Sequence, residues 1–186
     1  MATFQASIPL VPALMVAFAA FTHGTEFAVP QGPNVAIEDL IPGDELRTMS
    51  GDSARLLWVG SVELTPVMLS RATPPDCPGL VRILPDRFGY ARPARDIVLA
   101  GGAEINVGDF PREARGLVDY ESILPVTPPG PVRMFQLVCD KPSALIANGL
   151  SVPSFALSTW LTQQNPLVQD LLAQVLPGGG HEIDVA

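Results

Sequence analysis

The stretch from Phe21 to Met49 limits the chain to few folds, because its turns are set by residue type. Glu26 to Val29 is short and β-prone. Pro30-Gln31-Gly32-Pro33 supplies a loop, with Gly32 free to take positive φ. Val35 and Ile37 then alternate with Ala36 and Glu38, the two-residue period of a half-buried strand over 35–38. Ile41-Pro42-Gly43-Asp44 carries Pro then Gly at the central positions of a type II turn. Leu46 to Met49 resumes an extended run. The stretch reads as strand, turn, strand, sharp turn and strand, and the chain's 20 prolines and 16 glycines imply many turns and few long helices.

Later segments continue the pattern. Arg55 to Val62 reads as a strand with Trp58 as its bulky core residue, and Leu80 to Leu84 as another. Residues 70–79 and Asp86 to Pro93 read as loops. Asn148-Gly149 favours a tight hairpin turn between two strands. Near the C-terminus, Asn165 and Pro166 form a cap and first-turn pair for a helix. Leu167, Leu171, Leu172 and Val175 share one of its faces, and Gly178 to Gly180 end it.

Three motifs in series resemble the opening of a Hint domain, the self-processing module of inteins and hedgehog proteins, in its bacterial form. Those modules open with Cys-Phe-x-x-Gly-Thr and continue with Glu-Asp-Leu and Pro-Gly-Asp. This chain has Gly24-Thr25, Ile37-Glu38-Asp39-Leu40 and Pro42-Gly43-Asp44 in the same order. Leu57-Trp58-Val59-Gly60, Asp96-Ile97-Val98-Leu99, Glu113 to Asp119 and Phe135-Gln136-Leu137 through Ser154-Phe155 extend the likeness over roughly residues 20–157. The resemblance implies an all-β, horseshoe-like Hint fold with a C-terminal helix. It divides the chain into an apolar N-terminal segment (1–19), a Hint-like β domain (20–157) and a helix with its tail (158–186).

The resemblance also says where the chemistry would sit. Hint cleavage begins when a nucleophile at the first position attacks the preceding carbonyl, with an imidazole assisting the leaving nitrogen. On this alignment the first position is Ala20, the imidazole position is Ala103, and a later histidine position is Pro142. All three lack the active group. The expectation is a Hint-like domain that does not cut itself and serves as an interaction or structural module. The alternative is an autoprocessing domain with a displaced nucleophile such as Thr22. His23 and His181 are the chain's two histidines; His23 is read as a surface or turn residue and His181 as exposed.

Other chemistries find no support. There is no Gly-x-Ser-x-Gly, P-loop or dinucleotide fingerprint. Asp76, Asp86, Asp96 and Asp140 read as solvated loop or strand-end carboxylates. No cysteine or histidine spacing indicates a metal, and no cofactor is expected. Cys77 and Cys139 are read as free thiols, the first in a loop and the second buried. With 11 basic against 19 acidic residues, the net charge of -8 argues against nucleic acid as a partner. The expected partner is a protein whose identity the sequence does not give.

Residues 8–21 are apolar but lack a basic leader and contain prolines, so they are read as buried structure rather than a signal peptide. The run is also shorter than the ~20 residues of a bilayer span. The location expected on these grounds is cytoplasmic.

Overall fold

The computed structural model describes residues 19–72, 79–108 and 110–175. The readings made for residues 1–18, Asp76, Cys77, Gly178 to Gly180 and His181 lie outside them.

The longest strand, β5 (Ser53–Leu64), is the spine of the fold. Its burial alternates strictly, with Ala54, Leu56, Trp58, Gly60, Val62 and Leu64 inward. It pairs antiparallel with β11 (Val132–Cys139), whose register slips at a bulge between Val138 and Cys139. The inward residues of β5 serve two apolar clusters: Ala54 and Leu56 join one, while Trp58, Val62 and Leu64 join the other. Trp58 is 3% exposed, as expected of a core residue, and Phe135 is 2% exposed. Gly60 is required here, because a Cβ would fall well under 3.0 Å from the Trp58 ring.

Further strands of the larger sheet are β1 (Phe21–Thr22), β4 (Glu45–Arg47), β6 (Leu80–Ile83), β7 (Ile97–Ala100) and β10 (Ile123–Val126). The order is β10-β6-β7-β1-β11-β5-β4, and every pairing is antiparallel. The two-residue β1 thus lies between β7 and β11, in the middle of the sheet. A second sheet has the order β13-β12-β2-β3, built from β2 (Glu26–Phe27), β3 (Val35–Ala36), β12 (Ala144–Ala147) and β13 (Leu150–Pro153). A separate hairpin joins β8 (Glu104–Val107) to β9 (Phe110–Glu113).

The turns explain why the chain switches sheets where it does. Gly24 takes φ +80 between β1 and β2, and its N–H donates to Glu38 Oε2 at 2.9 Å. The strand expected over 35–38 stops at Ala36, and Ile37–Asp39 forms a 3₁₀ turn instead. A four-residue alternation does not distinguish the two: Ile37 is buried either way, and the turn returns Glu38 to Gly24. The Ile41–Asp44 turn is closed by Asp44 N–H donating to Ile41 C=O at 3.1 Å, with Gly43 at φ +101.

The C-terminal region departs further from the sequence reading. Three short helices are described: α1 (Pro66–Ala72), α2 (Leu157–Thr162) and α3 (Pro166–Val175). Only α3 was expected; α1 and α2 are each under eight residues, too short to show helical periodicity. Asn165 caps α3 as predicted, accepting the Val168 N–H at 3.0 Å. The buried face is Val168 and Leu172, with Leu171 half-buried, whereas Leu167 is 67% exposed. The apolar stripe is therefore rotated by one position from the one predicted. This face covers Leu69, Leu157 and the Trp58 side of the large sheet. Among the described residues, no helix is long and apolar enough to cross a membrane.

Candidate functional site

The sheet order brings together the three positions singled out by sequence. Ala20 directly precedes β1 and is clamped on both sides. Its N–H donates to Phe135 C=O at 3.0 Å, and its own C=O accepts the Ala100 N–H at 2.9 Å. Ala103 follows the Gly101-Gly102 turn after β7, held by its N–H to Ala100 C=O and by Ala114 N–H to its carbonyl. Pro142 sits on the connection from β11 to β12. All three line one cavity of about 710 Å³.

The far wall is apolar and aromatic. Leu64 and Leu69 come from the end of β5 and from α1, and Phe155 and Trp160 from the entry to α2 and α2 itself. The two aromatic rings sit 6.0 Å apart at a tilt of 51°. The polar rim includes Glu104, Glu113 and Arg115 from the β8–β9 side. Glu104 and Glu113 face each other directly in the β8–β9 register. Arg115 Nε donates to Glu113 Oε2 at 2.6 Å.

No cysteine or histidine is among the described residues lining the cavity. Its hydroxyls are those of Ser154 and Thr159, and Ser154 Oγ accepts the Ser143 N–H at 3.0 Å. Thr22 does not line the cavity; its Oγ1 donates to Val98 C=O at 3.0 Å. His23 is also elsewhere, 67% exposed on the β1–β2 turn with Nε2 3.1 Å from Glu38 Oε1. Cys139 is buried in β11 without a disulfide partner. Burial, then the nearby Asp140 and Glu45, push its thiol up to about 12.

The aspartates read from sequence as loop or strand-end carboxylates hold loops or pair with arginine. Asp86 Oδ1 accepts the Ala91 N–H, Asp96 pairs with Arg82, and Asp140 Oδ1 accepts the Arg55 N–H. Among the described residues, no group of three or more His, Cys, Asp or Glu could hold a metal ion. The sequence reading missed the rim of Glu104, Glu113 and Arg115 and the Phe155–Trp160 wall. Glu104, the Glu113–Arg115 pair and the Phe155–Trp160 pair come from separate segments, and only the fold brings them to one cavity.

Residues 19–159 match the family model of the Hint domain, and the chain belongs to that family. Among solved structures it is similar to a bacterial intein-like domain from Clostridium thermocellum, with a TM-score of 0.53 at 17% identity, covering 73% of this chain and 99% of that one. It is also similar to a variant of the gp41-1 intein, with a TM-score of 0.50 at 14% identity, covering 72% and 98%. At such identities the likeness is one of fold. No curated protein matches the sequence significantly.

Proposed function

We propose that this protein is a Hint domain without self-cleavage, whose cleft serves as a binding module. The observation that carries this reading is the meeting of Ala20, Ala103 and Pro142 in a single cavity. An acyl shift needs a nucleophile to attack the Ala19 carbonyl carbon, breakage of the bond to the Ala20 nitrogen, and a proton for that nitrogen. The Ala20 methyl has no lone pair to attack with. The Ala103 methyl has no proton to give. The Ala20 N–H is meanwhile engaged by the Phe135 carbonyl, which holds the amide in the sheet.

Thr22 as a displaced nucleophile is less well supported. Its hydroxyl is spent on Val98, and His23 beside it turns toward Glu38 in solvent. The test is intact mass of the purified chain after prolonged incubation with a thiol or with hydroxylamine. One uncut species is expected. A fragment beginning at or near Ala20 or Thr22 would overturn the reading.

A further inference from the structure

Resting on that reading of the cleft, we infer that the cavity binds a small amphiphilic amine, its apolar body against Phe155, Trp160, Leu64 and Leu69 and its ammonium at Glu104. Three observations converge. At about 710 Å³ the space lies within the ~300–1,000 Å³ typical of small-molecule sites. The small buried residues Ala20 and Ala103 leave its inner face without bulk, so an apolar chain can reach past the rim.

The rim itself is charged asymmetrically. Arg115 is engaged with Glu113, and Glu104 stands directly across the β8–β9 pair with no ion-pair partner among the described residues. Among the described residues lining the cavity, two carboxylates stand against one guanidinium, an excess of negative charge beside an apolar wall. That arrangement favours a cation and disfavours a carboxylate of the same length. An ammonium has three donors, enough to bridge Glu104 and a neighbouring acceptor.

The experiment titrates the full chain with n-decylamine and, separately, with decanoate, following backbone amide NMR shifts. Decylamine is expected to shift residues 100–104 and Trp160 with a Kd on the order of 100 µM. Decanoate is expected to bind about three- to tenfold more weakly. Glu104→Gln removes one charge from an exposed side chain and should bring the two affinities within about twofold of each other. Gly102→Phe adds a bulky ring at a residue that lines the cavity, where an added Cβ meets nothing within 4 Å, and should weaken both responses.

Equal affinities in the unaltered chain, or a preference that survives Glu104→Gln, would overturn the assignment of the ammonium. No shift at the cavity residues up to 2 mM would overturn the site. Mass spectrometry of the same samples separates this outcome from the other: an uncut chain that ignores decylamine rejects this inference alone, whereas a cleaved chain rejects the non-cleaving reading beneath it.

Discussion

Two regions of the molecule are built on opposite terms. Around Asn148, at the hairpin between β12 and β13, polar groups from three segments are engaged. Asn148 Oδ1 accepts the Glu26 N–H at 2.8 Å, its Nδ2 donates to Asp96 C=O at 3.0 Å, and its backbone bonds Glu26 and Ala94. It does so with φ +47, and Gly149 follows at φ +89, the mirror-image turn geometry that Asn-Gly favours. In the cavity lined from β1, β7 and α2, the positions matched by sequence likeness to the Hint cleavage groups, Ala20, Ala103 and Pro142, carry methyl groups and a proline ring, and the loop ahead of Ala103 is a pair of glycines. The difference teaches that the fold is held by bonds such as those of Asn148, which involve none of the residues lining the cavity.

The comparison breaks most visibly at the hairpin. Gly149→Val adds a Cβ well under 3.0 Å from the Ala91 carbonyl oxygen and forces a β-branched residue to positive φ. A loss of about 4 kcal/mol or more is expected, read as a Tm fall of roughly 8–16 °C. A loss under about 1 kcal/mol would mean that the Ala91 loop simply moves away.

Next in size is Asn148→Ala. It leaves the Glu26 N–H and the Asp96 carbonyl without their side-chain partner in a nearly buried setting. A cost of about 2–3 kcal/mol is expected in denaturant unfolding. Asn148→Asp keeps the acceptor for Glu26 but loses the donor to Asp96, and should fall between.

A smaller effect separates the outer loops from the hairpin by pH. Asp119 accepts the Ile123 N–H first of all, and those of Glu121 and Ser122, with the Ser122 hydroxyl on its other oxygen. These bonds hold its carboxyl well below its ordinary 3.8. A depressed folded-state value means that the contribution is present above the unfolded value and is lost as pH falls below about 4. Asp119→Asn should therefore lower Tm at pH 7, with the difference from the parent chain shrinking steadily from pH 4 to pH 2. A difference independent of pH would assign the loop's stability to shape rather than to charge.

What was legible in the sequence follows the same division. The turns at Pro42-Gly43-Asp44 and Asn148-Gly149 could be read because backbone geometry sets them locally, whereas Gly24 and Glu38 were legible only as family motifs, since the bond between them spans 14 residues. The positions Ala20, Ala103 and Pro142 could be named from the family likeness, but that they share a cavity follows from β1 lying between β7 and β11, which is a matter of topology. The helices α1 and α2 were missed because six or seven residues show too little period. The 3₁₀ turn at Ile37–Asp39 passed for a strand because burial of Ile37 satisfies both. The Glu104–Glu113–Arg115 rim depends on the β8–β9 hairpin, and β9 is a fully exposed strand with no apolar alternation to reveal it.

On the reading proposed above, the chain does not cut itself because the nucleophile and imidazole positions, Ala20 and Ala103, are both lost, not the nucleophile alone. Ala20→Cys tests this most directly, since it returns the attacking sulfur to the clamped position before β1 and leaves Ala103 in place. A positioned acid or base contributes about 10²- to 10⁴-fold in rate. The account predicts that intact mass spectrometry of Ala20→Cys with added thiol shows the chain whole over hours, while Ala20→Cys with Ala103→His begins to release a fragment slowly. Rapid cleavage by Ala20→Cys alone would contradict it and would point to a proton donor still in reach of the Ala20 nitrogen.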